Sequence, residues 1–235
     1  MRTGAWSGLI SLMVLLAGGT AEGADPCQAE RRGDPISIQP LLISASLPAS
    51  DPSHDYRHRL QTTPMGWPLQ SVWCVWVEPL EMSSSDATAR RWHQAVTGAL
   101  EEWEGVLALQ RVEDPQRAQV RIRRQRPPLG QDPSGRPRAS HGRASLTLMG
   151  LGAGPAGQVE PQVDVLISPG QRREAIQATA LHELGHAFGL WGHSDHPGDA
   201  MAVAPGATPI LKLSPRDRAT VQWLYRQATP MRLGP

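Results

Sequence analysis

The chain has 235 residues, 40% of them apolar, with a net charge of +1. That is enough chain for one domain with a real core, and a balance so near neutral sets up no global field for nucleic acid or a membrane surface. The 22 prolines point to long irregular segments between the regular elements.

At the N-terminus, Arg2 precedes an apolar run, Leu9 to Ala17, too short to span a bilayer. This reads as a signal peptide over residues 1–21. The small residues Gly19 and Ala21 place cleavage after Ala21, with Gly23 as the alternative. Gly19 stands where a lipoprotein's acylated Cys would be, so the expected product is secreted or extracytoplasmic, with no stable membrane association. Cys27 and Cys74 are the two cysteines left after export, and an oxidising compartment makes their pairing the default.

Residues 22–64 form a Pro-rich extension or short propeptide, with one short strand expected at Pro35–Ser44. The globular domain is expected over 65–228, with 229–235 as a tail. Val72 to Val77 is a continuous apolar run that reads as a strand buried on both faces. Ser83 to Asp86 supplies helix caps. Ala89, Trp92, Val96, Ala99, Leu100 and Trp103 then form one helical stripe that stops near Gly105. Val106–Val112 reads as a second strand. In the third, Ala118, Val120 and Ile122 alternate with polar residues. The arginines running from it to Arg126 read as a solvated strand face, since no aromatic residues interleave for base stacking. Pro127–Pro137 reads as a loop, 143–149 as a fourth strand, Gly150–Gly157 as a glycine-rich connection and Val163–Ile167 as a fifth strand.

A long helix follows. Ser168, Pro169 and Gln171 offer a capping box, and Ile176, Ala180, Leu184 and Phe188 should face the sheet. This helix carries His182-Glu183-Leu184-Gly185-His186. Histidines four residues apart lie on one helix face, one turn apart, and can hold two corners of a tetrahedral zinc site. Glu183 lies about 100° around the helix from His182, close enough to meet a metal-bound water without being a ligand. Gly189, where the helix could turn sharply, then His193 and Met201 follow. Ser214 and Asp217 form another capping box, opening a last helix with Val221, Leu224 and Tyr225 on one face.

The run from His182 to Met201 resembles the metzincin zinc metalloproteases, whose pattern is H-E-x-x-H-x-x-G-x-x-H followed by a methionine turn. It is most similar to the matrixin, or matrix metalloprotease-like, branch. That resemblance implies an α+β fold: a twisted, mostly parallel five-stranded sheet with one antiparallel edge strand (143–149) bordering the cleft, an active-site helix and a C-terminal helix. It also implies one catalytic Zn2+ held by His182, His186 and a third ligand, with Glu183 as general base. The substrate would be a protein or peptide, paired to the edge strand by strand addition. Met201 would lie beneath the metal as an apolar floor. The chain departs from the pattern at Gly192, which occupies the usual third-ligand position and has no side chain to offer. The candidates are therefore His193, Asp195 and His196. His193 is favoured because it keeps the family's spacing to the methionine and is followed by Ser194. On this reading Asp195 hydrogen-bonds a ligand histidine.

No motif supports structural Ca2+, and a monomer is expected. A latency switch through the Cys27 thiolate is an alternative to the disulfide, but Asp25-Pro26-Cys27-Gln28 does not match the matrixin switch. Two other readings stay open: a secreted zinc-binding module of the same fold with lost activity, and a zinc peptidase of another clan with Asp195 or Asp199 as ligand.

Overall fold

The computed structural model describes residues 25–27, 32–39, 41–47, 51–81, 86–131, 135–151, 157–204, 206–227 and 231. The expected signal peptide, the caps Ser83 to Ser85 and most of the glycine-rich connection and tail lie outside them.

The strands are β1 (Arg32–Ile36), β2 (Ile43–Ser44), β3 (Gln61–Thr62), β4 (Trp73–Val77), β5 (Leu109–Arg111), β6 (Val120–Arg123), β7 (Gly130–Gln131), β8 (Pro137–Arg138), β9 (Gly142–Leu151) and β10 (Val159–Ile167). The helices are α1 (Ala87–Glu104), α2 (Arg173–Ala187) and α3 (Pro215–Arg226). The main sheet has the order β1-β9-β10-β6-β4-β5. Strands β10, β6, β4 and β5 are parallel, and β9 is antiparallel to β10. This is the expected α+β architecture with one correction: the sheet has six strands, not five. The N-terminal arm adds β1, antiparallel, to the outer edge of β9, where Pro35 faces Met149 and Ile36 faces Leu148. Among the described residues, Gly142 to Thr147 stay unpaired along that edge. The single strand expected at 35–44 is in fact two, β1 and the short β2, which pairs with β3.

One apolar cluster joins the sheet to its helices. Trp73 and Val75 of β4, Val120 and Ile122 of β6, and Val163, Val165 and Ile167 of β10 point into it. From α1 come Trp92, Val96, Leu100 and Trp103, and from α2 Ile176, Ala180, Leu181 and Leu184. The indole N–H of Trp92 donates to the Ile167 carbonyl (3.0 Å) and that of Trp103 to the Leu181 carbonyl (3.1 Å). These large side chains therefore bury without stranding a donor. Asp86 caps α1 by accepting from the Thr88 N–H, and Ser214 and Asp217 complete the capping box of α3.

The cap expected for α2 is absent. Ser168 N–H donates to the His141 carbonyl (2.8 Å), which carries the β9–β10 pairing one residue past Ile167. The helix starts only at Arg173, with no side-chain cap on Arg172.

The packed body also reaches back before residue 65. Tyr56 and Leu60 belong to the same cluster as the helices. On the opposite face of β4, Cys74 is bonded to Cys27, and both are fully buried. The arginines of β6 and its exit are internally matched: Arg121 pairs with Asp164 (2.6 Å), Arg123 sits over the Trp76 ring, and Arg124 lies near Glu78 and Asp86.

Candidate active site

The centre is assembled where α2 ends. Phe188 N–H still bonds to Leu184 O, but Gly189 N–H turns back to His186 O, and Gly189 has φ +101. Only glycine takes that left-handed conformation cheaply, and a Cβ there would also strike Leu69. The chain then folds under the helix, with Leu190 N–H on Gly185 O (2.9 Å). A bonded turn follows, in which Ser194 N–H donates to Met201 O (2.7 Å) and Ala202 N–H to Asp199 O (3.1 Å). Met201 is fully buried, and its sulfur lies directly against Gly185, between the two helical histidines. That contact leaves no room for a Cβ and accounts for the glycine.

His182, His186 and His193 converge, with one ring nitrogen from each lying within 4.8 Å of the others. Two of the rings are fixed by carbonyls. His182 Nδ1 is 2.9 Å from Ala200 O, and His186 Nδ1 is 2.8 Å from Leu190 O. A carbonyl oxygen only accepts, so Nδ1 carries the proton in both and Nε2 keeps its lone pair. Burial lowers the His182 pKa to about 4, against the pull of the Ala200 carbonyl, and that of His186 to about 3. Burial also depresses His193, so all three rings are neutral near pH 7. Trp191 stacks on His186, ring centres 5.5 Å apart and planes 15° apart.

Glu183 is half-buried between α2 and β9. A Cβ on Gly142 would come within 2.6 Å of its Cγ. Burial raises its pKa to about 7, with the Ala144 N–H and the Arg143 charge pulling the other way.

The matrixin family model matches residues 79–226, more than half of the chain. The chain belongs to the matrixin family. No curated protein matches it. Matrixins are zinc-dependent metallopeptidases, and the donor set of this matrixin fits the ion. Three neutral imidazoles with two Nδ1–H groups held by carbonyls leave Nε2 lone pairs converging, the usual arrangement of ligating histidines.

The other candidate ligands of this matrixin are drawn elsewhere. Asp195 pairs with Arg216 (2.9 Å) and lies 3.6 Å from Arg59, so the hydrogen bond expected from it to a ligand histidine is replaced by the carbonyls of Ala200 and Leu190. Exposed His196 accepts from the Gly198 N–H. Asp199 is buried and accepts from Ser194, Ser214 and Arg216. Sequence reasoning missed Gly142 and the carbonyl acceptors. It also missed the role of Asp217, which accepts from the Ala200 N–H (2.8 Å) and the Tyr56 hydroxyl (2.8 Å). Asp217 was visible only as a capping residue, because a cap and a long-range anchor leave the same local signature.

Proposed function

We propose that this matrixin is an active, exported zinc metalloendopeptidase, with His182, His186 and His193 as the metal ligands and Glu183 as the general base. The observation that carries the reading is the convergence of three imidazoles at a helix where the residue after His182, half-buried Glu183, packs against Gly142 at the end of an open strand edge. A binding module with lost activity has no need of that carboxylate. Export is supported by the N-terminal apolar run and by a disulfide that suits an oxidising compartment.

Zinc held by three imidazoles supplies Lewis acidity, which makes water a usable nucleophile near neutral pH. The chain supplies the rest. The Ala200 and Leu190 carbonyls hold two imidazoles in the tautomer that leaves Nε2 bare. Glu183 takes a proton from the attacking water and hands it to the leaving amine. The open stretch of β9 lines up an extended peptide by strand addition beside Glu183.

The test is peptide cleavage by the zinc-loaded protein, its chelated form and Glu183→Ala. Chelation is expected to stop cleavage reversibly. Glu183→Ala should keep its zinc and lose about 10²–10⁴-fold in rate, the usual range for general acid–base catalysis. Turnover near the wild-type rate in that variant would refute the mechanism.

A further inference from the structure

We propose that residues 56–61 of the N-terminal arm are a permanent part of the metal site, a clamp that seats the His193 imidazole by bearing on Gly192 before it. The proposal rests on the reading of His182, His186 and His193 as a metal site. The clamp lies outside the segment matched to the family.

His193 needs outside support. Carbonyls fix the His182 and His186 rings, but among the described residues no hydrogen bond holds the His193 ring. Its direction is set by its backbone. On its C-terminal side that backbone is fixed by Ser194 N–H on Met201 O. On its N-terminal side the arm does the work. Gln61 N–H donates to the Trp191 carbonyl (2.6 Å). The arm backbone lies flat on Gly192, where a Cβ would strike the Arg59 carbonyl oxygen and come within 3.1 Å of Leu60 Cα. Beyond His193, Arg59 reaches Asp195 at 3.6 Å. Gly192 is thus glycine because another backbone passes there, not merely because a turn needs it.

The clamp is itself anchored. Arg59 and Leu60 close a tight turn, their N–H groups bonding to Tyr56 O and Arg57 O. Tyr56 and Leu60 are buried, and Tyr56 N–H donates to Thr220 Oγ1 (3.1 Å) and its hydroxyl to Asp217. Asp217 in turn holds Ala200, whose carbonyl fixes His182. One arm segment therefore braces two of the three imidazoles. A cut near residue 64 would leave this segment in place, because the Cys27–Cys74 disulfide ties the arm to β4 across that point.

Metal affinity tests this without recourse to activity. Gly192→Ala pushes the arm off from one side. Gln61→Pro removes the N–H donor from the other, and Leu60 before it already has the extended ψ of 147 that a following proline requires. Ile36→Ala, in the arm but far from the loop, is the control. Cobalt affinity, by competition with a chelator, and the cobalt absorption spectrum are read on proteins that keep the wild-type far-ultraviolet circular dichroism. Both clamp variants should bind cobalt about 10–100-fold more weakly, the usual cost of losing support around a metal ligand. Their spectra should shift as one imidazole leaves, while Ile36→Ala stays as wild type. Because the two variants break two neighbouring contacts of the same clamp from opposite sides, either one that folds is decisive. Unchanged affinity and spectrum in a folded clamp variant would overturn the clamp alone. A wild-type protein that binds no cobalt would overturn the reading of the site beneath it.

Discussion

His193 stands exposed beside two imidazoles that are tied down, and its ring lies 5.2 Å from His182 and 4.9 Å from His186, centre to centre. Its neighbour His196 bonds only within its own turn. Alanine at position 193 should therefore weaken zinc binding sharply, whereas His196→Ala should leave it nearly unchanged, as read by metal titration. The reverse order would mean that the departure from the family pattern at Gly192 shifts the ligand set. At this scale the helical pair was legible, because a spacing of four residues on a helix fixes relative position without help from the rest of the chain. The crowding at Gly185, Gly142 and Gly192 was not, since each glycine answers to a residue distant in sequence: Met201, Glu183 and Arg59.

The strand β9 is divided between two uses. From Leu148 onward its outer edge is taken by β1, and from Gly142 to Thr147 it is open among the described residues, with Glu183 at the far end of that opening. Six residues of strand span about 20 Å. A peptide adding antiparallel to this edge runs in line with β1, so its upstream end meets the arm. In a series of peptides with a fixed scissile bond, kcat/KM should rise with upstream length to at most about six residues and then level off, given a rise of about 3.4 Å per residue. A continued rise past six would show that the arm leaves the edge. The disulfide acts on the same arm from the other face of the sheet, closing a sequence separation of 47 residues. Replacing both cysteines by alanine should cost about 2–4 kcal/mol, seen as a lower Tm in the metal-loaded protein; an unchanged Tm would mean that the arm's other contacts already hold it. The long periodic elements were legible, because burial against one core imposes their pattern. The added strand was not, because Arg32 to Ile36 contains a Gly, an Asp and a Pro, and it is a strand only through the edge it meets.

For the molecule as a whole, the site makes stability depend on pH when metal is absent. His182 and His186 have folded pKa values of about 4 and about 3, below the ordinary 6.5. Between pH 6.5 and those values the unfolded chain binds protons that the folded chain refuses, so stability falls as pH falls. Glu183, raised to about 7 from 4.5, acts in the opposite sense between those two values. Two imidazoles outweigh one carboxyl, and below about pH 4.5 they act alone. The Tm of the metal-free protein should therefore drop from pH 6.5 to 4, and a rise over that range in thermal unfolding would contradict the burial of the histidines. The Tyr56–Asp217 bond, which links the arm to α3, has a further consequence, in the order of assembly. Its partners are 161 residues apart in sequence. Such non-local contacts form slowly, and a chain emerging N-terminus first has made α2 and both its histidines before Asp217 exists. Until α3 arrives, the Ala200 N–H lacks the Asp217 carboxylate that it bonds in the finished fold. The brace on His182 through Ala200 is therefore completed only after Asp217 has been made.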